Sequence, residues 1–304
     1  MTSTSDDTVT TGGAARRGWV ALLVRQLRFY QWAKNALLFI PLLGAHRLAD
    51  RSLWGRNLLA FVSFGLVASS VYVLNDLRDL EADRRHPRKR FRPLASGALP
   101  IALGKALVPA LLVAGAALAL QLPREFGLLL AGYWVATLGY SLGLKKRPIL
   151  DVAILAGLYT VRIYAGSAAT GVPVSEWLAS FAMFLFLSLA FVKRAAELVV
   201  AEEALPGRGY RPEDLGPVFA MGISSGYLAV LVLALYVSSQ DVRRLYAHPG
   251  WLWLLCPLVL YWVSELWLRA HRNEVDDDPL IFALRNRSSW IVLALAAATV
   301  WIGI

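Results

Sequence analysis

Long stretches without a charged side chain dominate this sequence. They are Asn57–Asn75, Ala106–Leu122, Phe126–Leu144, Trp177–Val192, Leu215–Gln240, Leu245–Ser264 and Ser288–Ile304. Two more carry one charge each: Phe29–Ala45 contains Lys34, and Val152–Ser175 contains Arg162. A helix needs about 20 mostly apolar residues to cross the hydrocarbon core. Only helices and closed barrels satisfy the backbone in lipid, and continuous Leu/Ala-rich runs lack the alternation of barrel strands. The expected fold is therefore all-α, an integral membrane bundle of about nine transmembrane helices. Composition agrees: 57% of residues are apolar and 17% charged, against roughly 45–50% and about 25% in a soluble globule. There is too little polar surface to cover a water-facing protein of this size.

The net charge of +10 then becomes a topological signal, because cytoplasmic loops accumulate Lys and Arg. With the N-terminus inside, the inner segments hold 23 Lys and Arg and the outer loops 6. The expected location is the bacterial cytoplasmic membrane, multi-pass, with the active site facing the cytoplasm. Residues 1–15 are rich in Ser, Thr, Gly and Asp and read as a disordered tail. Residues 16–304 read as the transmembrane domain. No short apolar region with a small-residue cleavage site follows the tail, so it does not read as a signal peptide. Gly18–Ala33, with Trp19, Arg25, Arg28, Tyr30 and Trp32, reads as an amphipathic interfacial helix.

Few features carry chemistry. The single cysteine, Cys256, excludes a disulfide framework and any multi-cysteine metal site. His46, His86, His248 and His271 fit no zinc spacing. Trp and Tyr fall largely at span ends, as interfacial belts do. Nothing points to nucleic acid as a partner.

The informative stretch is Tyr72–Gly97, Y-V-L-N-D-L-R-D-L-E-A-D-R-R-H-P-R-K-R-F-R-P-L-A-S-G. Asp76, Asp79 and Asp83 lie at i, i+3 and i+7, within about 60° of one another on a helix. Carboxylates on one face repel unless a cation sits between them. An oxygen-only set of this kind suits Mg2+ held together with substrate phosphates, and Mn2+ is an allowed substitute. Asn75 adds a neutral oxygen. The alternative is a charged loop in which Asp and Arg pair across turns. The cluster Arg88, Lys89, Arg90 and Arg92 reads as a phosphate grip or as a lipid-binding loop.

These residues resemble a known family. Asn75–Asp83, N-D-L-R-D-L-E-A-D, is similar to the NDxxDxxxD signature of the UbiA superfamily of membrane prenyltransferases. Tyr140–Lys145, Y-S-L-G-L-K, resembles that family's tyrosine–lysine element. The resemblance spans Gln31 to about Ser289 and implies the family's helical fold. It also implies Mg2+ on Asn75, Asp76, Asp79 and Asp83, with Tyr140, Lys145 and Asp151 in the active site. The family's aromatic prenyltransferases carry a second Asp-rich motif. Here that region reads F-V-K-R-A-A-E-L (Phe191–Leu198), and Asp151 is not part of a doublet.

The pattern resembles instead the branch that moves phosphoribose from phosphoribosyl pyrophosphate to a polyprenyl phosphate such as decaprenyl phosphate. Asp276–Arg287 is similar to that branch, with Asn286 where an Asp is expected. Lys34, Lys89, Arg90, Arg92, Arg162, Lys193 and Arg194 are the expected phosphate-binding residues. Arg162 follows Asp151 on the same helical face, about 16 Å deeper. An intramembrane Arg faces a cavity or a partner. The rivals are an aromatic prenyltransferase and a transporter of phosphorylated lipid. A separate phosphatase acting on the product and a homo-oligomer are allowed partners.

Overall fold

The computed structural model describes residues 18–45, 49–205, 207–275 and 278–304. The expected tail at 1–15 lies outside these residues, as do His46, Asp276 and Asp277. All the long elements among them are helical. They are α1 (18–26), α2 (Arg51–Arg78), α3 (Leu80–Arg85), α4 (Ile101–Ala119), α5 (Arg124–Leu142), α6 (Leu150–Thr170) and α7 (Glu176–Val199). They continue with α8 (Leu215–Ser238), α9 (Leu255–His271), α10 (Pro279–Arg285) and α11 (Arg287–Gly303).

Six segments of the described residues are long and apolar enough to cross a membrane: α2, α4, α6, α7, Pro212–Ser238 and Pro249–His271. The pair α10 and α11 makes a seventh if counted as one span bent by 80°. The expected count of nine is not reproduced, for three local reasons. Phe29–Ala45 folds as a 3-10 helix (Phe29–Phe39) and a five-residue α-helix (Ile40–Gly44), not one continuous span. Helix α5 takes Arg124 and Glu125 into its first turn, which leaves a short apolar remainder. Helix α11 has 17 residues, the short limit for a span, and counts only together with α10. The chain is a multi-pass membrane protein. Val113, Leu120, Leu128, Leu142 and Trp301 all stand exposed, as suits lipid rather than water.

The described residues divide into two compact units, 18–36 with 50–134, and 37–45 and 49 with those described from 135 to 304. In the first, α2 packs along α4. Ser63 Oγ donates to the Gly115 carbonyl at 2.8 Å, and the Phe64 and Tyr133 rings pack at a tilt of 47° with centroids 4.4 Å apart. Asp50 caps α2 by accepting from the Ser52 N–H at 3.1 Å. In the second unit α7 packs between α6 and α8. Ser188 Oγ donates to the Gly222 carbonyl at 2.8 Å and accepts from Trp267 Nε1 at 3.0 Å. Small polar residues at such seams replace a hydrophobic force that lipid cannot supply. Most of the expected site residues lie in loops or near helix ends, while Arg162 lies within α6.

Candidate active site

In the first unit the last turn of α2 carries Asn75 and Asp76. Asp79 lies at the break, where its N–H donates to the Asn75 carbonyl, and the Asp83 N–H donates to the Asp79 carbonyl. The helical path therefore almost continues into α3, and Asp76 and Asp83 stay on one face. Both are buried, each 3% exposed, while Asp79 is exposed and Asn75 half-buried.

Cations meet these carboxylates. Arg92 Nη1 lies 3.1 Å from Asp76 Oδ1 and 2.5 Å from Asp83 Oδ2. Arg28 Nη2 lies 2.5 Å from the same Asp76 Oδ1, and Gln26 Nε2 donates to Asp76 Oδ2 at 3.0 Å. The loop that presents Arg92 is anchored by buried Leu94 and Leu99, and the Leu99 N–H donates to the Pro93 carbonyl at 3.0 Å. Lys89 and Arg90 are exposed on that loop. His86 is local scaffolding: its Nδ1 accepts from the Arg88 and Lys89 N–H groups at 3.2 and 3.3 Å. Lys34 is nearly buried on the 3-10 helix.

In the second unit Asp151, in the first turn of α6, and Arg194, on α7, are both fully buried. Asp151 Oδ2 lies 2.5 Å from Arg194 Nη2. Tyr210 Oη donates to Asp151 Oδ1 at 2.7 Å and accepts the Ile149 N–H at 2.8 Å. Arg194 also pairs with Glu197, and its Nε is buried with no hydrogen-bond partner. Arg208 donates to the Tyr140 hydroxyl and lies 3.9 Å from Asp151 and 4.0 Å from Glu197.

The segment Gly207–Tyr210 reaches this network because Gly209 has no side chain. A Cβ there would stand 2.4 Å from the Lys146 carbonyl oxygen. Burial pushes the Tyr210 phenol well above its ordinary range, and donation to Asp151 adds to this. The hydroxyl thus stays a donor at any physiological pH. Burial opposes the Arg208 charge, but Tyr140, Glu197 and Asp151 together outweigh it and raise its pKa.

The expected residues fall into these two groups. Asn75, Asp76, Asp79, Asp83 and Arg92 share one unit and Tyr140, Asp151 and Arg194 the other. Lys145 is half-buried in the turn Leu144–Lys146, and Lys193 is half-buried on α7. Arg162 is buried on α6, 4% exposed, donates to the Leu158 carbonyl and lies over the Tyr159 ring at 6.0 Å. Asn286 caps α11, accepting from the Ser288 N–H at 3.2 Å. That role suits Asn as well as Asp.

Sequence reasoning placed Gln26 and Arg28 in an interfacial helix and missed them as partners of Asp76. It also passed over Arg208 and Tyr210 as partners of Asp151, and Glu197 as a partner of Arg194.

Among the described residues no three His, Cys, Asp or Glu side chains converge as a metal site. The donor set nevertheless fits Mg2+ chemically. It consists of hard oxygens, it already holds a cation between two carboxylates, and beside it the buried Gln26 Oε1 has no hydrogen-bond partner.

Residues 37–290 match the UbiA prenyltransferase family. The chain is 37% identical over 278 residues to the uncharacterized protein y4nM of Sinorhizobium fredii. That match covers 90% of this chain and 54% of y4nM, so the chain spans about half the length of that relative. It is 36% identical to nodulation protein NoeC of Azorhizobium caulinodans, covering 90% of this chain and 91% of that one. It is 38% identical over 202 residues to the decaprenyl-phosphate phosphoribosyltransferase of Mycobacterium tuberculosis, covering 65% of this chain and 66% of that one. A UbiA homolog from Archaeoglobus fulgidus, solved with DMAPP and Mg2+, superposes with a TM-score of 0.65 at 18% identity. The superposition covers 92% of this chain and 99% of that one, a likeness of fold.

Proposed function

The chain belongs to the UbiA prenyltransferase family, and from that premise we propose that it transfers 5-phosphoribose from phosphoribosyl pyrophosphate to a polyprenyl phosphate with Mg2+. Asp151 supports this over the aromatic alternative most directly. A two-metal prenyl-diphosphate site calls for a second free pair of acids. Here Asp151 is buried between Arg194, Arg208 and Tyr210, and its neighbour Glu197 is paired with Arg194. The similarity to the mycobacterial phosphoribosyltransferase points the same way.

The acceptor phosphate oxygen attacks C1 of the ribose as the bond from C1 to the pyrophosphate oxygen breaks. The electron pair of that bond leaves with pyrophosphate. Asn75, Asp76, Asp79 and Asp83 would hold Mg2+, which when bound neutralises charge on the leaving group. Lys34, Lys89, Arg90 and Arg92 of the first unit would contribute further positive charge for phosphate oxygens. In the second unit Lys145, Arg162 and Lys193 are the proposed phosphate-binding cations. Arg194 and Asp151 hold one another, so their proposed part is to position Tyr210 and, through Arg208, Tyr140. The reaction would face the cytoplasm of a bacterial inner membrane. Its product still carries the ribose 5-phosphate, so a separate phosphatase is the class of enzyme suited to consume it.

Binding tests this reading before turnover does. With Mg2+ present, phosphoribosyl pyrophosphate should raise the melting temperature of the detergent-solubilised protein. That rise should vanish in excess EDTA and in Asp76→Asn and Asp83→Asn. A rise with a prenyl diphosphate and none with phosphoribosyl pyrophosphate would favour the aromatic alternative.

A further inference from the structure

One nitrogen, Arg92 Nη1, stands within ion-pair distance of both buried carboxylates of the Asp-rich face, 3.1 Å from Asp76 and 2.5 Å from Asp83. Arg28 closes on the same Asp76 oxygen. We propose that Arg92 is a placeholder cation. It neutralises Asp76 and Asp83 while no metal is bound, gives way to the metal when a pyrophosphate arrives, and then pairs with that pyrophosphate. The proposal rests on the Mg2+-dependent reading above.

The electrostatics require some cation in this position. Two carboxylates buried this deeply on one face would repel and would lack solvation if left alone. A divalent ion and a guanidinium cannot both occupy the space against the same oxygens, so metal entry must displace Arg92 or bind poorly. Displacement is sterically available. The backbone at Arg92 is fixed by buried Pro93, Leu94 and Ala95, but the side chain is 28% exposed on a flexible stem.

Gln26 provides continuity. It holds the other oxygen of Asp76, so that carboxylate stays aimed when Arg92 leaves, and its own buried Oε1 is unpartnered beside it.

Coupling follows from this exchange. A metal alone must break the Arg92 ion pairs with nothing to offer the freed guanidinium. A metal arriving with pyrophosphate supplies a new anionic partner. Metal and pyrophosphate should therefore bind cooperatively, and each should raise the affinity of the other by the same factor. An enzyme so built would hold free metal weakly and commit it only with its substrate.

The test is Mn2+ binding, read by electron paramagnetic resonance on the 304-residue chain in nanodiscs, with and without inorganic pyrophosphate. In the wild type, pyrophosphate should tighten Mn2+ binding. In Arg92→Gln, Mn2+ alone should bind about 10- to 100-fold tighter than in the wild type, as the loss of a competing charge-assisted bond implies. The effect of pyrophosphate on Mn2+ affinity should shrink toward none. Without metal Arg92→Gln should melt below the wild type, and Mn2+ should raise its melting temperature more.

Should Arg92→Gln yield too little folded protein, Arg28→Gln removes a cation from Asp76 alone. It should move Mn2+ affinity in the same direction by a smaller factor. Mn2+ alone binding Arg92→Gln or Arg28→Gln no tighter than the wild type would overturn the placeholder while leaving the metal reading intact. No Mn2+ binding by the wild type, with or without pyrophosphate, would remove the metal reading and the placeholder with it.

Discussion

Asp151 and Arg194 have lost all contact with solvent, so each depends on the other. Removing one member of such a pair leaves an uncompensated buried charge, at a cost of about 3–5 kcal/mol. Arg194→Met should therefore lower the melting temperature sharply in detergent. Lys193→Met, one residue away and half-buried, should leave the melting temperature nearly unchanged. It should raise the apparent KM for phosphoribosyl pyrophosphate by about 10- to 100-fold, the scale of one charge-assisted bond lost from uniform binding. Equal melting losses in both variants would show that Lys193 is structural too.

The carboxylates of the first cluster were legible because spacing along one helix fixes which residues share a face. Their partners were not. Arg28 reaches Asp76 across 48 positions of sequence and Arg92 across 16, and no local pattern encodes such a meeting. The same holds for Tyr210, 59 positions from Asp151.

At the level of elements, long apolar runs show where helices lie but not which hydrogen-bond ladder they adopt. Phe29–Ala45 has the composition of a span and folds as a 3-10 helix followed by Ile40–Gly44. Residues 37–45 of this run belong to the second unit, and a close approach invisible in sequence holds them there. A Cβ on Gly166 of α6 would stand 1.9 Å from the Leu38 carbonyl oxygen. Gly166→Ala should thus cost about 1–3 kcal/mol, the range for overpacking a tight seam, and should unseat the Leu37–Gly44 segment toward protease cleavage. Gly157 lies on the same helix with nothing within 4 Å of its Cβ position. Gly157→Ala should be neutral or stabilising by up to about 1 kcal/mol, since Ala is the better helix former. Matching losses at the two sites would contradict the contact.

For the whole molecule, membrane character, helical class and family were legible because hydropathy and one signature motif report them directly. The count of spans was not, since 3-10 and bent segments such as α10 and α11 follow packing rather than composition. The charge asymmetry of 23 to 6 predicts a cytoplasmic Asp-rich loop. In a Cys256→Ser background, Arg85→Cys should resist an impermeant thiol reagent added from outside intact cells and react in inside-out vesicles. Labelling from outside would reverse the orientation.

The central claim is the identity of the group transferred. Two labelled pairs should be offered to one preparation in liposomes with Mg2+: phosphoribosyl pyrophosphate with a polyprenyl phosphate, and a prenyl diphosphate with an aromatic acid. The structure-based reading predicts ribose label in the lipid phase from the first pair and no prenylated aromatic product from the second. Prenyl transfer to the aromatic acid, with no ribose label entering the lipid, would contradict it.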